Sequence, residues 1–263
     1  MDTNSNSFNT VTTPEQAIKQ FVGEPYIEWL LNYVSHTVKL FPEIQHLKEA
    51  RPKPERIKKA MLQRFLAAEA FVGGREGDPG FLGFAIANLS ESNDPLAEGA
   101  LEILQKKREE ELAGHKISSG RVHTAHRQLW INLLTALGLS EHEIEKAEGK
   151  DFTRNYVAEL SDLYSSSEWQ EAMGAFAAQE KAVFDEYEAW VVMLKANTGL
   201  SDKDLEVLTW HNREDVRYLV NTSHVLEKIV FDEENKNLIW GGVNKQLEIR
   251  KDFYQQLVKY LES

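Results

Sequence analysis

Between residues 168 and 197 the chain sets Trp169, Met173 and Phe176, and then Val183, Tyr187, Val191 and Leu194, three or four positions apart. That step stacks side chains along one face of an α-helix, so the segment predicts a long helix with a buried stripe. The same periodicity predicts helices over 55–72, 78–90, 95–113, 120–137, 141–148, 152–164, 202–230 and 244–261. No two-residue alternation with Asn-Gly or Asp-Gly turns points to a sheet, and the fold reads as all-α. Local punctuation agrees. Thr13-Pro14-Glu15-Gln16 starts a helix with a capping residue, a proline at its first position and a Gln three after the cap. Gly23 to Pro25 interrupts it before a second run to about Leu40, and Pro42, Pro52 and Pro54 mark a connection. Ser140-Glu141-His142-Glu143 and Ser201-Asp202-Lys203-Asp204 are capping-box starts, and Gly138 and Gly199 are helix stops. The polar residues 1–12 read as a disordered tail, and 13–263 as a single helical domain.

Charge and missing residue types narrow the chemistry. A net charge of −12 repels phosphate backbones and anionic lipid, so neither nucleic acid nor a membrane is an expected partner. The N-terminus lacks a secretory signal and no apolar run is long enough to span a bilayer, which predicts a cytoplasmic protein. With no cysteine, disulfides, thiolate nucleophiles, iron–sulfur clusters and thiolate zinc sites are excluded. Any metal must sit among imidazole, carboxylate and water, a set that suits non-haem iron, manganese or zinc.

Several charged residues stand in rows that should be buried. Glu180 interrupts the long stripe between Phe176 and Val183. In 95–113 the row Ala97, Ala100, Leu101, Leu104, Arg108, Glu111 puts Glu111 rather than Glu110 in phase. His126 shares a row with Leu129, Leu133 and Leu137, one turn after His123. His211 and Asp215 lie between Leu208 and Leu219, and Glu69 follows Leu62, Phe65 and Leu66. Singly, each has an ordinary explanation: a local His–Asp pair, a cap, an arginine partner, a satisfied core histidine. Glu69 aside, together they are two imidazoles and three carboxylates facing inward with no obvious matching set of in-row Lys or Arg, a combination that calls for a cation between them. Helical bundles that hold two metal ions use inward Glu and His of this kind.

The segments REEELAG (108–114), HTAHRQLWINLLTALGLS (123–140), AMGAFAAQE (172–180) and LTWHNREDVRYL (208–219) together resemble the haem-oxygenase-like superfamily. Within it they are most similar to the CADD and PqqC-like branch, whose iron-binding members are the haem-oxygenase-like diiron oxidases. The likeness spans roughly residues 55–230 and implies a bundle of about seven to nine helices around a central cavity. It also implies Fe(II), as a diiron centre in the metal-binding members, held by Glu111 (with Glu110 as the alternative), His126, Glu180, His211 and Asp215. Where that family ends its last motif with a His, this chain has Tyr218. Position 218 is then either a redox-active side chain beside the site or a buried tyrosine, and His224 is not at the family spacing. GHKISSG after Glu111 is longer than the family's turn, and Glu69 is a ligand candidate on its row alone.

The resemblance implies an oxidoreductase that uses dioxygen and non-haem iron on a small organic acid, amine or fatty-acid-like substrate. Two other readings are open: a metal-free PqqC- or TenA-like enzyme or ligand-binding protein using the same cavity, and a CADD-like protein-interaction module. Haem oxygenation is not expected, because His36 and His46 stand outside any haem-ligand context. The apolar face of 244–261, with Leu247, Phe253, Tyr254 and Leu257, serves either the core or a homodimer contact.

Overall fold

A computed structural model describes residues 13–73, 78–113 and 125–263, apart from the side chains of 210–215. Proline opens α1 (Pro14–Phe21), α2 (Pro25–Lys39), α3 (Pro42–Glu49) and α4 (Pro54–Val72). At that position its missing N–H is one the first turn leaves unbonded anyway, and its fixed φ is already helical. This is why 42–49, expected to be a connection, is a two-turn helix. Thr13 and Gln16 form the capping box of α1. α4 stops at Gly73, whose φ of +73° lies in the left-handed region that glycine enters without strain.

Next come α5 (Gly80–Glu91), α6 (Ala97–Ala113), α7 (His126–Ala136), α8 (Glu141–Glu145) and α9 (Asp151–Tyr164), followed by α10 (Trp169–Asn197), α11 (Glu206–Ile229) and α12 (Glu233–Glu262). Ser140 and Glu143 cap α8 reciprocally, and Gly138 closes the turn after α7 at φ +90°. Ser201 and Asp204 make the expected reciprocal bonds, but the regular helix begins a turn later, at Glu206. The short α1, α3 and α8 add to the seven to nine helices expected, and among the described residues there is no strand. The predicted helix start near residue 120 lies outside the described residues.

α10 packs against α2, α3, α5, α9, α11 and α12 and is buried along most of its length. Its closest neighbour is α12. A Cβ built on Gly242 would stand 1.9 Å from the Glu171 carbonyl oxygen, and one on Gly174 would stand 2.2 Å from that of Ile239. These glycines let the two backbones touch, so Gly241-Gly242 sits inside a helix rather than ahead of one. α12 therefore starts at Glu233, not near 244, with the Asp232 carboxylate accepting from the Asn235 N–H at 2.8 Å. Buried apolar side chains from α1 through α12 form one contiguous cluster. Leu247, Phe253, Tyr254 and Leu257 belong to it, so the core uses the face that could have served a homodimer. Among the described residues no helix is long and apolar enough to cross a membrane.

Candidate active site

α4, α6, α7 and α10 surround a cavity of about 130 Å³. It has room for several waters or a small organic molecule, and is smaller than a pocket for a drug-sized ligand. Phe65, Phe71, Trp130 and Val183 supply its apolar wall, and Phe71 stacks on Phe176 behind it. Into this wall are set Arg64 and Glu69 from α4, Lys107 and Glu111 from α6, His126 from the first position of α7, and Glu180 from the middle of α10. The lining runs from Leu112, 41% exposed, to Arg64, 4% exposed, so the cavity reaches from the surface into the core.

Two buried charge clusters border it. In the first, the Lys107 ammonium stands 3.0 Å from Glu111 Oε1 and 3.0 Å from Glu180 Oε2, and all three side chains are buried. The other Glu111 oxygen is paired with His126 Nδ1. A neutral ring that donates from Nδ1 keeps its lone pair on Nε2. The Lys107 ammonium also lies over the Tyr218 ring, 4.5 Å from its centroid. The second cluster places two guanidinium groups around one carboxylate: Glu186 Oε2 pairs with Arg250 Nη1 and stands 3.8 Å from Arg64 Nη2. Arg64 donates to the Tyr187 hydroxyl at 3.3 Å and lies against the rings of Tyr187 and Trp130, while Arg250 also donates to Gln179.

Glu111, His126 and Glu180 thus come together from three helices. Glu110 points elsewhere: it pairs with Arg217 at 2.7 Å and is not among the side chains lining the cavity. Glu69 does line it, with its carboxylate held by Arg127 Nε at 2.8 Å. Tyr218 is buried behind Lys107 and does not line the cavity, and burial, then the Glu110 carboxylate, push its hydroxyl pKa well up. His224 bonds the Phe21 carbonyl oxygen and His46 pairs with Glu262 near the surface, and neither lines the cavity. His211 and Asp215 belong to α11, which packs against α6, α7 and α10, but their side chains lie outside the described residues, as does His123. Among the described residues no three His, Asp or Glu side chains have the spacing of a metal site.

The expectation that no in-row cation matches the carboxylates is corrected by Lys107. It stands three residues after Leu104 and four before Glu111, in the same row as both. Arg64 was as legible, three residues after Met61 and four before Ala68. Neither position by itself signals a buried charge, because a long cationic side chain at the edge of a row ordinarily carries its charge out to water.

No family model and no curated protein matches the chain. Solved structures do. One is a domain of unknown function with a heme oxygenase-like fold from Shewanella denitrificans (TM-score 0.67, 10% identity, covering 88% of this chain and 90% of that one). Another is a CADD-like protein of unknown function from Nostoc punctiforme (TM-score 0.68, 16% identity, 89% and 95% covered). A third is a TenA homolog from Pseudomonas syringae pv. tomato (TM-score 0.65, 13% identity, 94% and 98% covered). At such identities the likeness is one of fold.

Proposed function

We propose that this chain, which has the heme oxygenase-like fold, is an iron-dependent enzyme that uses dioxygen to oxidise a small organic molecule in the cavity between α4, α6, α7 and α10. The observation that carries the reading is the meeting of Glu111, His126 and Glu180 from three helices at one buried cavity, with both carboxylates turned to a single positive charge. That charge is the Lys107 ammonium, a stand-in that marks where a cation is stabilised. Carboxylate oxygen and imidazole nitrogen are the donors Fe(II) prefers. Without the spacing of a metal site while Lys107 stands between the carboxylates, Glu111, His126 and Glu180 would hold the metal in place of that ammonium, with His211 and Asp215 of α11 completing the set. Bound iron would supply the electrons and open positions that dioxygen reduction needs.

The chain's own groups do the rest. Phe65, Phe71 and Trp130 keep water from the reacting atoms. The Glu111–His126 pair fixes the imidazole ring and its tautomer. Lys107 keeps the two carboxylates together without metal, and the Tyr218 ring steadies the ammonium. Anaerobic titration of chelator-treated protein with Fe(II) tests the reading. Binding that H126A and E180A each weaken at least tenfold, together with oxygen uptake by the loaded protein, supports it, and failure of the intact chain to bind Fe(II) refutes it.

Lys107 also favours a second reading. An ammonium already paired with both carboxylates suits a metal-free enzyme in which Glu111 and His126 relay a proton. Turnover unaffected by a strong chelator would select that reading over the first.

A further inference from the structure

The cavity's second charged cluster lies apart from the proposed metal ligands, and among the described residues its charges do not balance. Arg64 and Arg250 contribute two guanidinium groups and Glu186 one carboxylate, all of them almost wholly buried. The nearby hydroxyls of Tyr156 and Tyr254 do not supply the missing charge, since burial raises the pKa of both and keeps them neutral. The cavity's other carboxylates are turned to other cations: Glu69 to Arg127, and Glu111 and Glu180 to Lys107. Arg250 is engaged with Glu186 and Gln179. Among the described residues Arg64 has only the Tyr187 hydroxyl at hydrogen-bond distance and Glu186 at 3.8 Å, and its buried Nε has no acceptor there. An arginine is rarely buried with donors unused, and the guanidinium fork matches a carboxylate with two parallel bonds. Its contacts with the rings of Trp130 and Tyr187 hold the plane in place, so little ordering would remain to be done on binding.

We infer that the cavity binds a small organic carboxylate, with Arg64 as the anchor for its anionic group and the remainder of the molecule lying toward Glu111, His126 and Glu180. The inference takes from the proposed function only that this cavity is the substrate site. It does not require iron. The cavity's size limits the ligand to a short or singly cyclic acid.

The test compares acids with their neutral amides on chelator-treated, full-length protein: benzoate against benzamide and hexanoate against hexanamide, by calorimetry. At least one acid binds tenfold or more tightly than its amide, and R64Q removes that preference while leaving amide affinity within twofold. R64Q is the suitable variant because it discharges the surplus charge and leaves Glu186 paired with Arg250. Should R64Q not fold, the location of the acid decides instead. Crystals of the unaltered chain soaked in 4-bromobenzoate show a bromine anomalous peak inside the cavity, with the carboxylate at Arg64. Equal binding of acids and amides, no binding of either acid, a bromine peak elsewhere, or undiminished acid preference in folded R64Q each overturns the proposal. Acid selectivity without Fe(II) binding leaves this inference standing and removes the iron reading, and the converse result does the opposite.

Discussion

Removing the ammonium of Lys107 exposes the energetics of the first cluster. Lys107→Met keeps much of the side-chain volume and deletes the charge. Glu111 Oε1 and Glu180 Oε2 each stand 3.0 Å from the same nitrogen, so they lie no more than ~6 Å apart. At that separation two bare carboxylates repel by about 3 kcal/mol with an effective dielectric of 20. Breaking a buried pair by removing one partner costs about 3–5 kcal/mol in general, the same range. K107M is therefore expected to lose about 3–5 kcal/mol, a large share of the 5–15 kcal/mol typical of a folded domain. Urea unfolding at pH 7, followed by circular dichroism and checked for an unchanged slope, measures it. The double variant K107M/E180Q removes one of the repelling charges and recovers at least half of the loss. If K107M lies within about 1 kcal/mol of the parent, or E180Q restores nothing, the cluster is not organised around the lysine in solution and the argument fails.

Other expectations concern separate parts of the molecule. Gly242→Ala forces α12 away from the Glu171 carbonyl and costs about 1–3 kcal/mol, read as a lower urea midpoint at unchanged slope. Lys181 is fully buried, with Glu15 3.5 Å from its ammonium, and burial lowers its pKa below the usual 10.5. The native state then binds fewer protons than the unfolded chain between the two values, so this group's contribution is full above 10.5 and is lost as pH falls through the lowered value. K181M removes that rise, and unfolding free energies at pH 8, 9 and 10 for both proteins check it by difference. Because Glu69 is held by Arg127, E69Q leaves Fe(II) affinity within twofold, whereas a tenfold loss in the same titration would make Glu69 a ligand.

The helices were legible because burial writes a 3.6-residue period into the chain, and Trp169 to Leu194 carries it with little interruption. Sequence and structure part where a residue's effect depends on what it meets. Pro42 starts a helix or breaks one according to its position, and Gly242 is a stop or a close approach according to whether another backbone lies against it. Glu111, Glu180 and His126 stood out because short charged or polar groups inside an apolar row have little reach to water. Lys107 and Arg64 did not, since a stem of several methylenes can run along the core or out of it from the same position. Sequence phase shows which face a cation starts from, and only tertiary packing shows where its charge ends.

That asymmetry bears on how the cavity works. Glu111 and Glu180 meet at Lys107 at one end of the cavity, and at the other Glu186 stands between two guanidinium groups, a negative charge short among the described residues. A metal cation held by the carboxylates at the first end and a ligand carboxylate at the second would attract each other across the cavity, so each should strengthen binding of the other. Linkage requires the two enhancements to be equal, and coupling of this kind is commonly about 1–3 kcal/mol, or roughly 5- to 150-fold. Anaerobic Fe(II) titrations with and without saturating benzoate measure it in one direction, and benzoate titrations with and without Fe(II) in the other. A carboxylate that merely ligated the iron would show the same coupling in R64Q, whereas coupling through the Arg64 end disappears there. An Fe(II) dissociation constant indifferent to benzoate in the unaltered chain would mean that the two ends do not sense each other, and that the cavity is not a single binding site.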